Sequence, residues 1–183
     1  SEEIKNYDVV MISDYGHGLI TRRIMDLVKA RSKVLAVNAQ VNAANVGYNL
    51  ITKYRNPHYV CLDESELRLS AQEKNAPVEE VASKIRTLIE ANCLTVTLGK
   101  KGSFSVNSAE IDQTPIFSHN VVDTVGAGDA FFSYAAPCYA KEMPLDLMSF
   151  IGNAVGAIAV QTICNKKSVE KHELLEFINA VLK

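Results

Sequence analysis

The sequence predicts an α/β fold: a mostly parallel sheet covered on both faces by helices and followed by a helical C-terminal segment. Three observations predict it. Apolar runs of strand length alternate with amphipathic runs of helix length through the first half of the chain, the pattern of successive βα units. Polar or glycine-containing segments follow each strand run, where ligands gather in open parallel sheets. The last third reads as three helix-length segments. At 183 residues the chain is expected to form one domain, large enough for its own core.

Taken in order, Asp8 to Ile12 is a short buried-strand run broken by Ser13-Asp14-Tyr15-Gly16-His17-Gly18. Thr21 can cap a helix from Arg22 to about Arg31, with Ile24, Leu27 and Val28 on one face. Val34 to Val37 is a second strand. The Asn-rich stretch from Asn38 to Asn56 fits neither period and is read as a long loop. Tyr59 to Leu62 is a third strand, and Asp63 can cap a helix through Ala71. Pro77 sits where a helix covering Val78 to Asn92 would begin. Cys93 to Leu98 is a fourth strand, Gly99 to Gly102 turns into Ser103 to Val106, and a short hairpin spans Ser108 to Ile116. Helices are expected near Ala127–Lys141, Leu145–Ile163 and Glu170–Leu182, with Pro137 kinking the first or ending it early.

Composition narrows the function. A net charge of −2 gives no electrostatic case for nucleic acid or an anionic membrane. The longest apolar stretch, Asn153 to Ile163, is too short to span a bilayer. Cys61, Cys93, Cys138 and Cys164 are scattered without a C-x-x-C pair, and they read as reduced thiols of a cytoplasmic protein.

Asp123 to Phe131 reads D-T-V-G-A-G-D-A-F and is the most informative stretch. It sets Asp123 and Asp129 around a glycine-rich turn ahead of an apolar run. A helix starting near Gly126 or Ala127 points unpaired backbone N–H groups at whatever lies before it, a ready anion site. Asp129, in that first turn, could take the proton of a hydroxyl attacking the anion. Together these are the requirements of phosphoryl transfer to an alcohol.

The stretch resembles the C-terminal signature of the ribokinase-like (PfkB-type) carbohydrate kinases. The resemblance implies a three-layer α/β/α architecture, with Gly126, Ala127 and Gly128 as anion hole and Asp129 as catalytic base. T-x-G-x-x-G at Thr97, Gly99 and Gly102 is similar to the family's nucleotide-site segment, and Asn153 falls on the helix that borders the adenine. Glu66 matches the Glu of N-x-x-E, which helps hold Mg²⁺ through water, although Asp63 stands where Asn is usual and adds a negative charge. In many members a later loop and the first Asp of the signature hold a monovalent cation, making Asp123 a candidate K⁺ ligand. Here Cys164-Asn165 stands in that loop where Gly-Ala is common, which leaves K⁺ activation open.

The first loop, S-D-Y-G-H-G-L, is similar to S-D-Y-G-K-G-x of kinases acting on bacterial heptose phosphates, which makes Asp14 and Gly16 candidate substrate-binding residues. Lys53-Tyr54-Arg55 and Leu62 to Glu66 keep the order of that branch. His17 in place of Lys, and Asn38-Ala39-Gln40 in place of D-P-K, each remove a cation that could meet phosphate. The resemblance implies ATP as co-substrate, Mg²⁺ as cofactor and a small sugar or sugar phosphate as acceptor. It covers nearly the whole chain (residues 1–183) but only the C-terminal, nucleotide-binding and catalytic part of the family fold. The first strands, a G-G-rich sugar motif and a β lid are not among the motifs found. A sheet opened at Asp8 to Ile12 is therefore expected to expose an edge and to pair, as a homodimer or with the missing N-terminal part. A non-catalytic nucleotide- or sugar-binding module is the alternative. A dinucleotide-binding oxidoreductase is disfavoured, since the glycine turn lacks G-x-G-x-x-G spacing after a first strand.

Overall fold

The alternation of apolar runs becomes one six-stranded sheet in sequential order, β1 (Val10–Asp14), β2 (Leu35–Ala39), β3 (Tyr59–Asp63), β4 (Cys93–Thr97), β5 (Ser103–Val106) and β6 (Ile111–Thr114). These elements come from a computed structural model that describes residues 2–43, 45–118, 121–163 and 166–183. β1 to β4 pair in parallel, while β5 and β6 turn back antiparallel. The helices are α1 (Arg22–Arg31), α2 (Glu64–Ala71), α3 (Val78–Ile89), α4 (Ala127–Ala140), α5 (Leu145–Ala159) and α6 (Lys171–Val181).

The alternation of side chains along each strand divides the core. Val37, Val60, Leu62, Leu94 and Val96 face α1 to α3 and pack with Val28, Leu67, Ile85 and Ile89. Ala36, Tyr59, Cys61 and Cys93 point the other way, against Phe131, Phe132 and Ala135 of α4 and Met148 of α5. Both faces of the central strands are thus covered, which is why β2 is buried at every position. β1 is an edge strand in this sheet, with Ile12 buried and Met11 37% exposed on the opposite face. The expected buried-strand run is therefore buried on one face only: Met11 and Ser13 are exposed on the other, while Val9, just before the strand, packs against the cluster formed with α4 and α5.

Local signals set the helix starts. Thr21 Oγ1 accepts the Ile24 N–H, and Asp63 and Glu66 form a reciprocal capping box at α2. Three ends differ from expectation. α3 stops at Ile89, where Glu90 takes a left-handed conformation and its N–H bonds back to the last turn. α5 stops at Ala159, and the Val160 carbonyl then accepts the N–H groups of Val122 and Asp123. α4 runs through Pro137 to Ala140 without ending early. Pro137 lies in its last turn, where it forgoes the one bond an N–H there would make to Ser133 O, and Ala135 and Ala136 are held in the core just before it.

Candidate active site

The carboxyl ends of β2, β3 and β4 and the N-terminus of α4 meet around two neighbouring cavities. Gly126 caps α4 with φ +81°, a left-handed conformation that suits glycine. Its carbonyl accepts the Ala130 N–H at 2.9 Å, and the Ala127 N–H closes a turn onto Thr124 O at 3.2 Å. The N–H groups of Gly128 and Asp129, also in this first turn, have no hydrogen-bond partner among the described residues. Of the expected anion-hole groups, Ala127 is therefore engaged in the turn, while the Asp129 N–H joins Gly128 at the open end.

The smaller cavity, about 190 Å³, is bordered by Gly126, Gly128 and three carboxylates, Asp63, Glu66 and Asp129, together with Asn38 and Gln40. Among the described residues, no cationic side chain lines it. Glu66 is 6% exposed: its Oε2 accepts the Asp63 N–H at 2.9 Å and its Oε1 the Val41 N–H at 3.1 Å. Burial pushes its carboxyl up to about 7; those N–H groups oppose the rise, and the charges of Asp63 and Asp129 add to it. Asp63 Oδ1 in turn accepts the Glu66 N–H and the Ser65 hydroxyl, so the charge that replaces the usual Asn is tied into a helix cap.

The larger cavity, about 410 Å³, brings together all four predicted nucleotide-site residues, Thr97, Gly99, Gly102 and Asn153. Asp63, Thr97 and Gly128 border both cavities. Gly102 combines φ +93° with a position where a Cβ would lie 2.0 Å from Thr114 O, so only glycine fits the turn. Asn153 is anchored by its Nδ2, which donates to Ser103 Oγ at 2.7 Å and Ser149 O at 2.9 Å.

The remaining predicted site residues line neither cavity. Asp14 is buried and lines neither; its carboxylate accepts Lys53 Nζ at 2.5 Å, Tyr54 OH at 2.6 Å and the Gly16 N–H at 2.9 Å. In this geometry Asp14 and Gly16 build the loop after β1. Asp123 Oδ1 accepts the Val125 N–H at 3.0 Å and also lines neither cavity. Its expected cation-loop partners, Cys164 and Asn165, lie outside the described residues. Among the described residues, no group of three or more His, Cys, Asp or Glu side chains is arranged to hold a metal directly. Sequence reasoning missed the groups that touch Asp129: Gln40 Nε2 donates to its Oδ1 at 2.5 Å, and Tyr15 OH lies 3.3 Å from both oxygens. The only signal for Gln40 was its departure from D-P-K.

Comparison with known proteins bears on the family and the fold. The model of the pfkB family of carbohydrate kinases matches residues 21–171. The bifunctional protein HldE of Campylobacter jejuni serotype O:2 is 26% identical over 179 residues, covering 96% of this chain and 38% of that protein. HldE of Trichlorobacter lovleyi is 24% identical over 163 residues, covering 87% and 33%. The chain thus spans well under half the length of these relatives. The fold superimposes on phosphofructokinase-2 from Escherichia coli in complex with potassium (TM-score 0.80, 18% identity, 96% of this chain and 57% of that one). It also superimposes on ribokinase from Thermotoga maritima (TM-score 0.76, 21% identity, 96% and 58%). With residues 21–171 of its 183 matched by the family model, the chain belongs to the pfkB family of carbohydrate kinases.

Proposed function

We propose that residues 1–183 form the C-terminal, nucleotide-binding and catalytic part of a cytoplasmic kinase that transfers the γ-phosphoryl group of ATP to a sugar hydroxyl. A heptose phosphate or a related carbohydrate is the acceptor class. One observation carries the reading: Asp129 and the unpaired N–H groups of α4 face a cavity that shares Asp63, Thr97 and Gly128 with a second one of about 410 Å³. The larger cavity takes the nucleotide, with Asn153 and the Gly99–Gly102 turn at its wall. Asp129 accepts the proton of the attacking hydroxyl. The helix N-terminus around Gly126, Ala127 and Gly128 stabilises the charge that gathers on the transferring group.

Mg²⁺ fits the donor set. Three carboxylates border the smaller cavity with no cation among its described lining residues, and both oxygens of Glu66 already accept backbone N–H groups. That leaves Glu66 suited to a hydrated ion held through water, as Mg²⁺ prefers. When bound, the ion offsets charge on the phosphate oxygens. Asp123 is the residue proposed for K⁺. The open β1 edge is proposed to pair, with a second copy or with the N-terminal part of a longer protein.

The test is ADP release by the full-length protein with Mg-ATP and a panel of heptose phosphates and related sugars, with ATP affinity measured by calorimetry. Asp129→Asn is expected to abolish turnover while leaving ATP affinity within about twofold, since only proton removal is lost. Equal loss of binding and turnover would assign Asp129 a structural role instead.

A further inference from the structure

The two groups on Asp129 differ in kind. The Gln40 amide makes one short, directed bond to Oδ1, whereas the Tyr15 hydroxyl lies at 3.3 Å from Oδ1 and Oδ2 alike, long for an O–H donor. Both are held from behind by the Asn-rich segment. The Gln40 N–H donates to Asp14 O at 2.9 Å, and Gln40 O accepts Asn49 Nδ2 at 2.9 Å. Asn49 also donates to Asp14 O at 2.7 Å, and its Oδ1 accepts Lys53 Nζ. The Tyr15 carbonyl accepts the side-chain amides of Asn42 and Asn45 at 3.0 and 2.8 Å. Three asparagines thus bond the backbone of the very residues that carry Tyr15 and Gln40 to Asp129.

We propose that Gln40 is a positioning residue that fixes Oδ1 of Asp129 so that Oδ2 faces the acceptor, and that the Tyr15 hydroxyl occupies the place the acceptor hydroxyl takes. The proposal rests on the reading of Asp129 as the base. A short bond commits one oxygen, while a hydroxyl shared between two oxygens is the weaker contact and the one to yield. Burial and the charge of Asp129 push the Tyr15 phenol up, which keeps its proton on the donor side.

The experiment compares the full-length protein and its variants with Mg-ATP and a heptose phosphate, and adds crystal structures of the variants. Gln40→Ala is expected to lower kcat by about 10- to 100-fold with KM for ATP within about twofold, as for a misplaced catalytic group. Its structure should show the Asp129 carboxylate rotated away from its present orientation. Gln40→Lys, which restores a donor of similar reach, should recover most of the lost kcat. Tyr15→Phe should alter KM for the acceptor far more than kcat. If Gln40→Ala does not fold, Gln40→Glu keeps the size and sets two carboxylates together, and kcat should fall without loss of ATP binding. An unchanged kcat in Gln40→Ala with Asp129 in place overturns the proposal, as does a loss that Gln40→Lys leaves unrepaired. Full turnover by Asp129→Asn would instead remove the base reading beneath it.

Discussion

Replacing Asp14 by Asn tests whether the loop after β1 is held by charge. The carboxylate is 3% exposed and receives Lys53 Nζ and Tyr54 OH on one oxygen and the Gly16 N–H on the other. An Asn side chain offers one acceptor oxygen and turns an NH₂ toward the remaining donors. Breaking a buried ion pair by removing one partner costs about 3–5 kcal/mol. Lys53 retains 31% side-chain exposure and can rehydrate in part, which places the expected loss near the lower figure, about 3 kcal/mol. Urea unfolding of the two proteins, compared at a fixed m-value, reads this directly.

The pH dependence of Asp14 supplies a second reading. Burial pushes the carboxyl up, but Lys53, Tyr54 and the Gly16 N–H outweigh it and hold the group below its ordinary value of 3.8. A lowered folded value contributes stability that is present above the unfolded value and lost as the pH falls through the folded one. The gap between wild type and Asp14→Asn should therefore be full at neutral pH and close below about pH 4. A gap under about 0.5 kcal/mol at pH 7, or one that stays constant down to pH 3, would refute the argument.

Other perturbations have expected signs. Glu66 rises from 4.5 to about 7 on folding, so in EDTA the protein should lose stability as the pH climbs through that window. Relative to wild type, Glu66→Gln should gain about 3 kcal/mol between pH 4 and pH 8, read from urea midpoints. Gly102→Ala forces a side chain into φ +93° and against Thr114 O, and is expected to cost about 3 kcal/mol or more, seen as a lowered Tm. Ser105 Oγ lies 2.8 Å from Thr95 Oγ1 and 2.9 Å from Ser149 Oγ, all three buried. Ser105→Ala leaves both neighbours short of a partner and should cost about 1–3 kcal/mol in the same assay.

What could be read in the sequence was local. Asp63-x-x-Glu66 announces a capping box within four residues, and Thr21 announces α1 in the same way. The limits of β2 to β4 fell within one or two residues, because burial on both faces leaves apolar runs that end where polar site residues begin, whereas the hairpin expected over Ser108 to Ile116 is the single strand β6 paired with β5. The Asn38–Asn56 segment stayed opaque for the opposite reason. Asn42, Asn45 and Asn49 spend their amides on backbone carbonyls 27 to 35 residues away, and no periodicity records such bonds. The same holds for Gln40, which meets Asp129 across 89 residues. β1 misled in another way, since an apolar run does not tell whether one face or both will be covered.

The capping box at α2 bears on how such a site could be lost. Asp63 and Glu66 secure a helix start while bordering the cavity, so drift that ends catalysis still meets a folding penalty at these positions. Their acidity would outlive the activity. Asp129 is not the N-cap of α4, and among the described residues its side-chain bonds come from Gln40 and Tyr15. Among descendants of this fold, an intact Asp63–Glu66 pair therefore reports a folded α2, whereas on the role proposed for Asp129 the pairing of residue 129 with residue 40 is the better marker of phosphoryl transfer.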